Sequence, residues 1–429
     1  MPVGLEAISV YIPRYYLDTE DLARANGTDP LKYKVGIGVQ QFSAPAPHED
    51  SVTMAHEAAL ALIRNYGVDP DDIGMLIVGS ETGVDAAKPI AAYVHGLLGL
   101  PSNCRTFDTK HACYSATAAL KFARAWCGGA SRGRKALVIA SDIARYEIGS
   151  PGEPTQGAGA VALLVSDQPG LLIFDEFPEA FYTKEVMDFW RPHYRATALV
   201  QGELSIESYL TTLESTFLAY CGNSGLKWDD FDCMLFHVPF PKMASKAYKR
   251  LCEMEAGDGA GRSVDELLRQ FDVRTRPYLT ANSRTGNLYS GSLYLSLADL
   301  LETEGVRAIG RRVGLFSYGS GCCGEYFSGV VGPEAEACRG KIGLERALAD
   351  RVALSHHDYL RFRKAAEEMA CNDSFYQNLS CRKGHCPSCS AFLGIEDNRR
   401  LYCVPNQTET CLRLLQTPRT GRPYIVAAR

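Results

Sequence analysis

Residues 107–127 read FDTKHACYSATAALKFARAWC. A short extended stretch leads into Cys113, and the residues after it place Ala116, Leu120, Ala123 and Cys127 at helical spacing. A strand that turns directly into a helix is a building unit of α/β folds. The same alternation spreads outward from this point. Residues 75–78 (MLIV), 136–140 (ALVIA) and 160–165 (AVALLV) are continuous apolar runs, as expected of strands covered on both faces, with helical segments at 51–66, 88–98 and 114–127. The opening stretch, MPVGLEAISVYIPRYYLD, reads as a first strand.

The second half repeats the theme, with strands expected at 233–236 (CMLF) and 313–317 (VGLFS) and helices near 242–255 and 290–302. The repeated order implies a duplicated α/β fold, with one half at 1–170 and the other at 171–335. No Pro/Gly/Ser-rich linker separates them, so they are expected to pack as one body. From about Cys338 the rhythm gives way to a charged, Cys-rich tail (336–429), expected to pack on the second half.

Composition narrows the function. The 429 residues are 46% apolar, enough for a sizeable core, and 45 Lys plus Arg stand against 50 Asp plus Glu. Such a balance lacks the basic footprint of a nucleic-acid or anionic-lipid binder and points to small-molecule chemistry. No uncharged apolar run approaches the ~18 residues of a membrane span, and the N-terminus lacks a signal-peptide pattern, so a cytoplasmic protein is expected. Fifteen cysteines, an odd number spread over a long chain, read as reduced thiols.

Cys113 stands out because it falls at a helix start, where backbone N–H groups and the helix dipole favour a thiolate and can hold an oxyanion. A buried structural thiol is the competing reading. Glu81 directly follows the strand MLIVGS, at the strand end where α/β proteins bind ligands, and partial burial there would raise its pKa and suit it to proton transfer. Alone it is equally an N-cap or a solvated loop residue. His237 ends CMLFHVPFPKM at the matching place of the second half, as a proton carrier, a hydrogen-bond donor or a satisfied core residue. Lys242 and Lys246, four apart on the following helix, can meet phosphates or simply face solvent.

The glycines of SYGSGCCGEY allow a ligand close to the backbone at Ser320, without the G-x-S-x-G pattern of a hydrolase elbow. GAGAVA at 157–162 continues as a strand, which argues against a dinucleotide site. In the tail, CRKGHCPSC (Cys381, His385, Cys386, Cys389), with Cys403 and Cys411 beyond it, is either a zinc site or a set of free thiols.

In order and spacing, these pieces resemble the 3-hydroxy-3-methylglutaryl-CoA synthase family, bacterial type, of the thiolase superfold. The resemblance runs from about Gly4 to Phe327 through KVGIG, SETGVDAAK, HACYSAT, SDIARY, EPTQGAGAVA, DFWRP, LSIESYL, FHVPFPKM, TGNLYSGSLYLSL and FSYGSG. It implies a layered αβαβα sandwich of two similar halves, usually a homodimer. It also implies Cys113 as nucleophile, Glu81 as general acid/base and His237 as the histidine that positions acetoacetyl. Thioester contacts are implied for Thr155, Ser205, Lys242, Lys246, Asn287 and Ser320, with Tyr146 and Asp188 in support.

The implied reaction joins acetyl-CoA to acetoacetyl-CoA through an acetyl-Cys113 intermediate, as in the mevalonate route to isoprenoids, with no metal or redox cofactor. Three other readings remain open at this point. One is a β-branching polyketide synthase served by acyl carrier proteins. The second is a ketoacyl synthase or thiolase, although those pair their cysteine with histidines, and the third is a zinc-binding interaction protein built on the tail.

Overall fold

The apolar runs of the first half become strands because valine, isoleucine, leucine and alanine pack well on a pleated surface buried on both faces. In the computed structural model, which describes residues 2–257, 261–371, 390–396 and 398–404, these strands are β1 (Gly4–Tyr11), β2 (Ile73–Gly79), β3 (Arg105–Thr109), β4 (Lys135–Ala144) and β5 (Gly157–Ser166). The second half supplies β6 (Leu172–Phe174), β7 (Ala180–Thr183), β8 (Cys233–Phe236), β9 (Arg312–Gly319) and β10 (Cys323–Val331).

All ten join one sheet in the order β3-β2-β4-β5-β1-β6-β10-β9-β8, with β7 beside the first part of β10. Outward from the central β1–β6 pair, β5 matches β10, β4 matches β9 and β2 matches β8. The strand directions match as well: the β4–β5 and β9–β10 pairs are antiparallel, and β2–β4 and β8–β9 are parallel. The duplication expected from the sequence is therefore visible in the topology. β3 has no counterpart and ends the sheet on one side.

Period-two alternation divides each strand between two cores. The helices are α1 (Ser51–Tyr66), α2 (Ile90–Leu98), α3 (Ser115–Cys127), α4 (Gly202–Ser224), α5 (Pro241–Gly257), α6 (Ser292–Glu304) and α7 (His356–Cys371). Met75, Ile77 and Val138 of the first half and Leu235, Val313 and Leu315 of the second pack around α3 and α6 in a shared central core. Leu76, Val78, Leu137 and Ile139 face α1 and α2. Met234, Phe236, Phe316 and Tyr318 face α4 and α5. With both halves of the one sheet facing α3 and α6, the layers run helix, half-sheet, helix, half-sheet, helix.

Two elements escape the apolar pattern. β10 (CGEYFSGVV) buries Glu325 and Ser328. Its carboxylate is matched by Lys121 and by the Tyr114 hydroxyl at 2.9 Å, so polar residues stand where a buried strand normally shows apolar ones. α4, LSIESYL and its continuation, carries its buried face on Tyr209, Thr212, Leu213, Thr216, Phe217 and Tyr220, a stripe diluted by hydroxyls.

The tail departs from the expectation that it packs on the second half. Leu344 and Leu348 do join the central core beside α6. From Val352 onward, however, the contacts run to the first half. Val352 and Ala353 pair with Tyr15 and Tyr16, Arg363 of α7 bonds the Tyr146 carbonyl, and Arg400 and Tyr402 bond Asp50 at the start of α1. Backbone pairing and polar side chains make these contacts, beside apolar ones from Leu354, Met369, Phe392 and Val404, and the irregular spacing of this segment does not reveal them. Cys381, His385, Cys386, Cys389 and Cys411 lie outside the described residues; Cys403 is buried in a hairpin strand.

Candidate active site

Between β3 and α3 the chain makes a tight turn. His111 N donates to Ser115 Oγ (2.8 Å), Ser115 Oγ donates to the Ala112 carbonyl (2.6 Å), and Ala112 takes a positive φ of 41°. A left-handed backbone at a non-glycine residue is strained and persists where its surroundings over-determine it. Here the surroundings include Gly319 at the end of β9. A Cβ on Gly319 would lie 2.5 Å from the His111 carbonyl oxygen and 2.6 Å from Tyr114 N. The His111 ring also packs against Gly321, whose Cβ position would lie 3.5 Å from it. Cys113, the residue after the strained alanine, is thus held where the two halves meet, with its side chain buried.

Cys113 Sγ donates to Glu81 Oε1 at 3.4 Å. Behind Glu81 lies Asp142 of β4, fully buried, which accepts from Ser80 Oγ (2.8 Å), Glu81 N (3.0 Å), Thr82 N (3.2 Å), Thr82 Oγ1 (2.8 Å) and Ser290 N (3.2 Å). Burial and the Asp142 charge push the Glu81 carboxyl up to about 8. Burial, then the Glu81 and Asp142 charges, raise the Cys113 thiol well above its ordinary value. This corrects the thiolate expected from the helix start: Cys113 lies two residues before α3 and is surrounded by carboxylates, so the neutral thiol is favoured.

His237 follows β8, as Glu81 follows β2. Its N–H donates to the Phe316 carbonyl (2.7 Å) and its own carbonyl accepts from Tyr209 Oη (2.8 Å). Burial lowers its imidazole to about 3, so the ring is neutral at physiological pH. Asp188, fully buried, accepts from Tyr318 Oη (2.9 Å), Ser205 Oγ (3.3 Å) and Gly321 N (2.9 Å), and so fixes the loop that carries Ser320.

Asn287 N donates to the Thr155 carbonyl (3.1 Å), and Asn287 Oδ1 accepts from Tyr289 N (2.8 Å) and Ser292 Oγ (3.0 Å), which orients the amide with its NH2 as the remaining donor. Thr155 Oγ1 donates to the Gly152 carbonyl (2.8 Å), so this hydroxyl and that of Ser205 are both engaged within the protein. Lys242 and Lys246 are exposed on α5. Gly38, the last residue of KVGIG, packs against Pro241 at the start of that helix.

Cys113 shares an apolar cluster with Ala144, Tyr146, Ala198, Tyr289 and Phe189. The Phe189 ring stands edge-on to Tyr289 (5.8 Å) and to Tyr146 (6.4 Å). The sequence reading named Tyr146 and missed Tyr289, Phe189 and Asp142. A signal for the last was present: a lone acid within the apolar run of β4 has to find buried donors.

Family models described as hydroxymethylglutaryl-coenzyme A synthase N terminal and C terminal match residues 1–169 and residues 172–259 and 262–385. The hydroxymethylglutaryl-CoA synthase of Enterococcus faecalis is 38% identical over 331 residues, 77% of this chain and 83% of the relative. The polyketide biosynthesis 3-hydroxy-3-methylglutaryl-ACP synthase PksG of Bacillus subtilis is 36% identical over 370 residues, 83% of this chain and 86% of the relative.

Among solved structures, MvaS in complex with 3-hydroxy-3-methylglutaryl coenzyme A has a TM-score of 0.87 at 42% identity, covering 94% of this chain and 99% of that one. The curacin pathway HMG synthase in complex with acetyl donor-ACP has a TM-score of 0.87 at 32% identity, covering 94% and 100%. With both halves matched and the cysteine and glutamate brought together where those halves meet, the chain belongs to the hydroxymethylglutaryl-CoA synthase family and is an acyl-transferring enzyme.

Proposed function

We propose that this enzyme condenses acetyl-CoA with acetoacetyl-CoA to 3-hydroxy-3-methylglutaryl-CoA, with Cys113 as the acetyl carrier. The observation that carries the reading is the 3.4 Å contact between Cys113 Sγ and a carboxyl, Glu81, held near neutral pH in its titration. Cys113 sulfur adds to the acetyl-CoA carbonyl, the bond to CoA sulfur breaks, and the thiol proton leaves with CoA. The Cys113 and Ser320 N–H groups face the thioester oxygen, where one donor can contribute roughly 3 kcal/mol.

Glu81, as carboxylate, takes a proton from the acetyl methyl. The resulting enolate adds to the acetoacetyl ketone, whose oxygen is held by neutral His237 and by the Asn287 amide, and the proton on Glu81 neutralises the new alkoxide. Water then cleaves the Cys113 thioester. Lys242 and Lys246 meet the CoA phosphates, and Thr155 and Ser205 border the thioester. No step written here uses a metal or redox cofactor.

In this reading the enzyme works in the cytoplasm, as a homodimer, on the mevalonate route. Among the described residues no helix is long and apolar enough to cross a membrane.

Mass spectrometry after incubation with acetyl-CoA tests the proposal. One acetyl adduct is expected on Cys113 and none in Cys113→Ala; labelling of another cysteine overturns it. Steady-state rates with acetyl-CoA against acetyl-carrier protein decide the donor, and a strong preference for the carrier protein assigns the chain to polyketide β-branching.

A further inference from the structure

The loop from Tyr146 to Gln156 has the candidate site on one side and helix α7 on the other. On the site side, Tyr146 packs beside Cys113, and the Thr155 carbonyl receives Asn287 N. On the far side a single buried arginine reaches both ends of the loop. Arg363 donates to the Tyr146 carbonyl (3.1 Å), to Gln156 Oε1 (3.0 Å) and to Tyr359 Oη (3.2 Å). Tyr359 Oη donates to Glu153 Oε1 (2.9 Å), and Glu153 Oε2 in turn accepts Gly149 N (2.7 Å) in the middle of the loop. Start, middle and end of the loop are therefore tied to one turn of α7, through the buried side chains of Arg363, Tyr359, Gln156 and Glu153.

Behind the loop is a small cavity, with about 20 Å³ of room for the centre of a water-sized body, bordered by Ala144, Arg145, Gln156, Gly157, Tyr359 and Arg363. Arg363, which bonds the Tyr146 carbonyl, is one wall of this cavity.

We propose that Arg363 is a positioning residue that holds the Tyr146 loop against Cys113 and keeps water from the acyl-cysteine until condensation has occurred. The inference rests on the function proposed above. Without the guanidinium the loop loses its bonds at the Tyr146 carbonyl and the Gln156 amide, the Tyr146 end loosens, and water reaches the acetyl group early. Water oxygen then adds to the acetyl carbonyl, the carbon-sulfur bond breaks, one water proton passes to Cys113 sulfur, and acetate leaves with the other proton released to solvent. The acetyl group is lost before the acceptor can be used.

The test is the partition of acetyl-Cys113 between acetate and condensed product, measured with labelled acetyl-CoA and acetoacetyl-CoA on the full chain. In Arg363→Ala we expect acetyl transfer to Cys113 to persist, with the ratio of acetate to product rising about tenfold, the scale of a modest displacement near a reacting group. Added guanidinium ion, well below unfolding concentrations, should bring the ratio back toward wild type. Tyr359→Phe removes one hydroxyl from the same network, should raise the ratio in the same direction, and decides the matter if Arg363→Ala fails to fold.

A ratio unchanged in the folded variants, with both products falling together, overturns the positioning role. If the wild-type enzyme forms no acetyl-Cys113, the function reading fails instead, and the two failures are distinguishable.

Discussion

Glu81 and His237 are displaced in opposite directions from their ordinary values, and pH should separate their roles. Glu81 moves from 4.5 to about 8. Its protonated form is favoured by the fold, so its contribution to stability is full below 4.5 and is lost as pH rises through about 8. As a base it works only when ionised, so condensation should climb with pH to a plateau above about 8, and Glu81→Gln should abolish condensation. The same variant should be more stable than wild type at pH 9, by ~1 kcal/mol or more. Denaturant titrations at pH 5 and 9 check it: an equal difference at both values contradicts the assignment.

His237 moves from 6.5 to about 3, so its contribution is present above 6.5 and is lost as pH falls toward 3. His237→Asn should therefore lose less stability than wild type between pH 6 and 4, measured in the same titrations. Their places after apolar strands marked both residues as candidates in the sequence, and the resemblance in motif order supplied their expected roles. Asp142 was passed over despite being a lone acid in an apolar run, since SDIARY reads as more strand. Its meaning depends on donors from Ser80, Thr82 and Ser290, the last of these 148 positions away along the chain.

At the scale of elements, the turn between β3 and α3 is a device for holding one cysteine, and its tightest support comes from β9. Gly319→Ala places a Cβ where the His111 carbonyl and Tyr114 nitrogen already sit. Backbone atoms cannot yield as a flexible side-chain tip can. The nucleophile turn should shift by a fraction of an ångström, with acetylation slowed about a hundredfold and stability lowered by ~1–3 kcal/mol. Rapid-quench measurement of acetyl-Cys113 checks this, and an unchanged acetylation rate would show that Cys113 does not depend on β9.

Element positions were largely readable. The run at 75–78 lies inside Ile73–Gly79, and the segment 51–66 is the helix Ser51–Tyr66. α4 and β10 were not readable as apolar patterns, because hydroxyls and a neutralised Glu325 occupy their buried faces.

For the whole molecule, the repeated strand order announced two halves. Their meeting around α3 and α6 explains why residues from both halves converge on one cysteine. The reach of α7 to Tyr146 was invisible because it depends on one arginine hydrogen-bonding a loop 217 residues away.

The sheet itself leaves one question of assembly, and it is testable. β3 ends the sheet, so one edge of its backbone has no partner among the described strands, and Phe122, 58% exposed on α3, stands edge-on to Phe107 of β3 at 5.9 Å. An open strand edge beside an exposed aromatic is a template for pairing with another chain. Antiparallel pairing of β3 with its own copy about a two-fold axis closes both edges at once. The expected joint of the proposed homodimer is therefore this edge. Phe122→Asp gives up the edge-on contact with Phe107, so the folded monomer should lose about 1 kcal/mol. In a dimer joined at β3 it would set a carboxylate beside the buried joint, which is far more costly. Light scattering at micromolar protein should then give twice the chain mass for wild type and the chain mass for Phe122→Asp; a variant that stays dimeric moves the interface away from β3, and a monomeric wild type removes the dimer from the proposal.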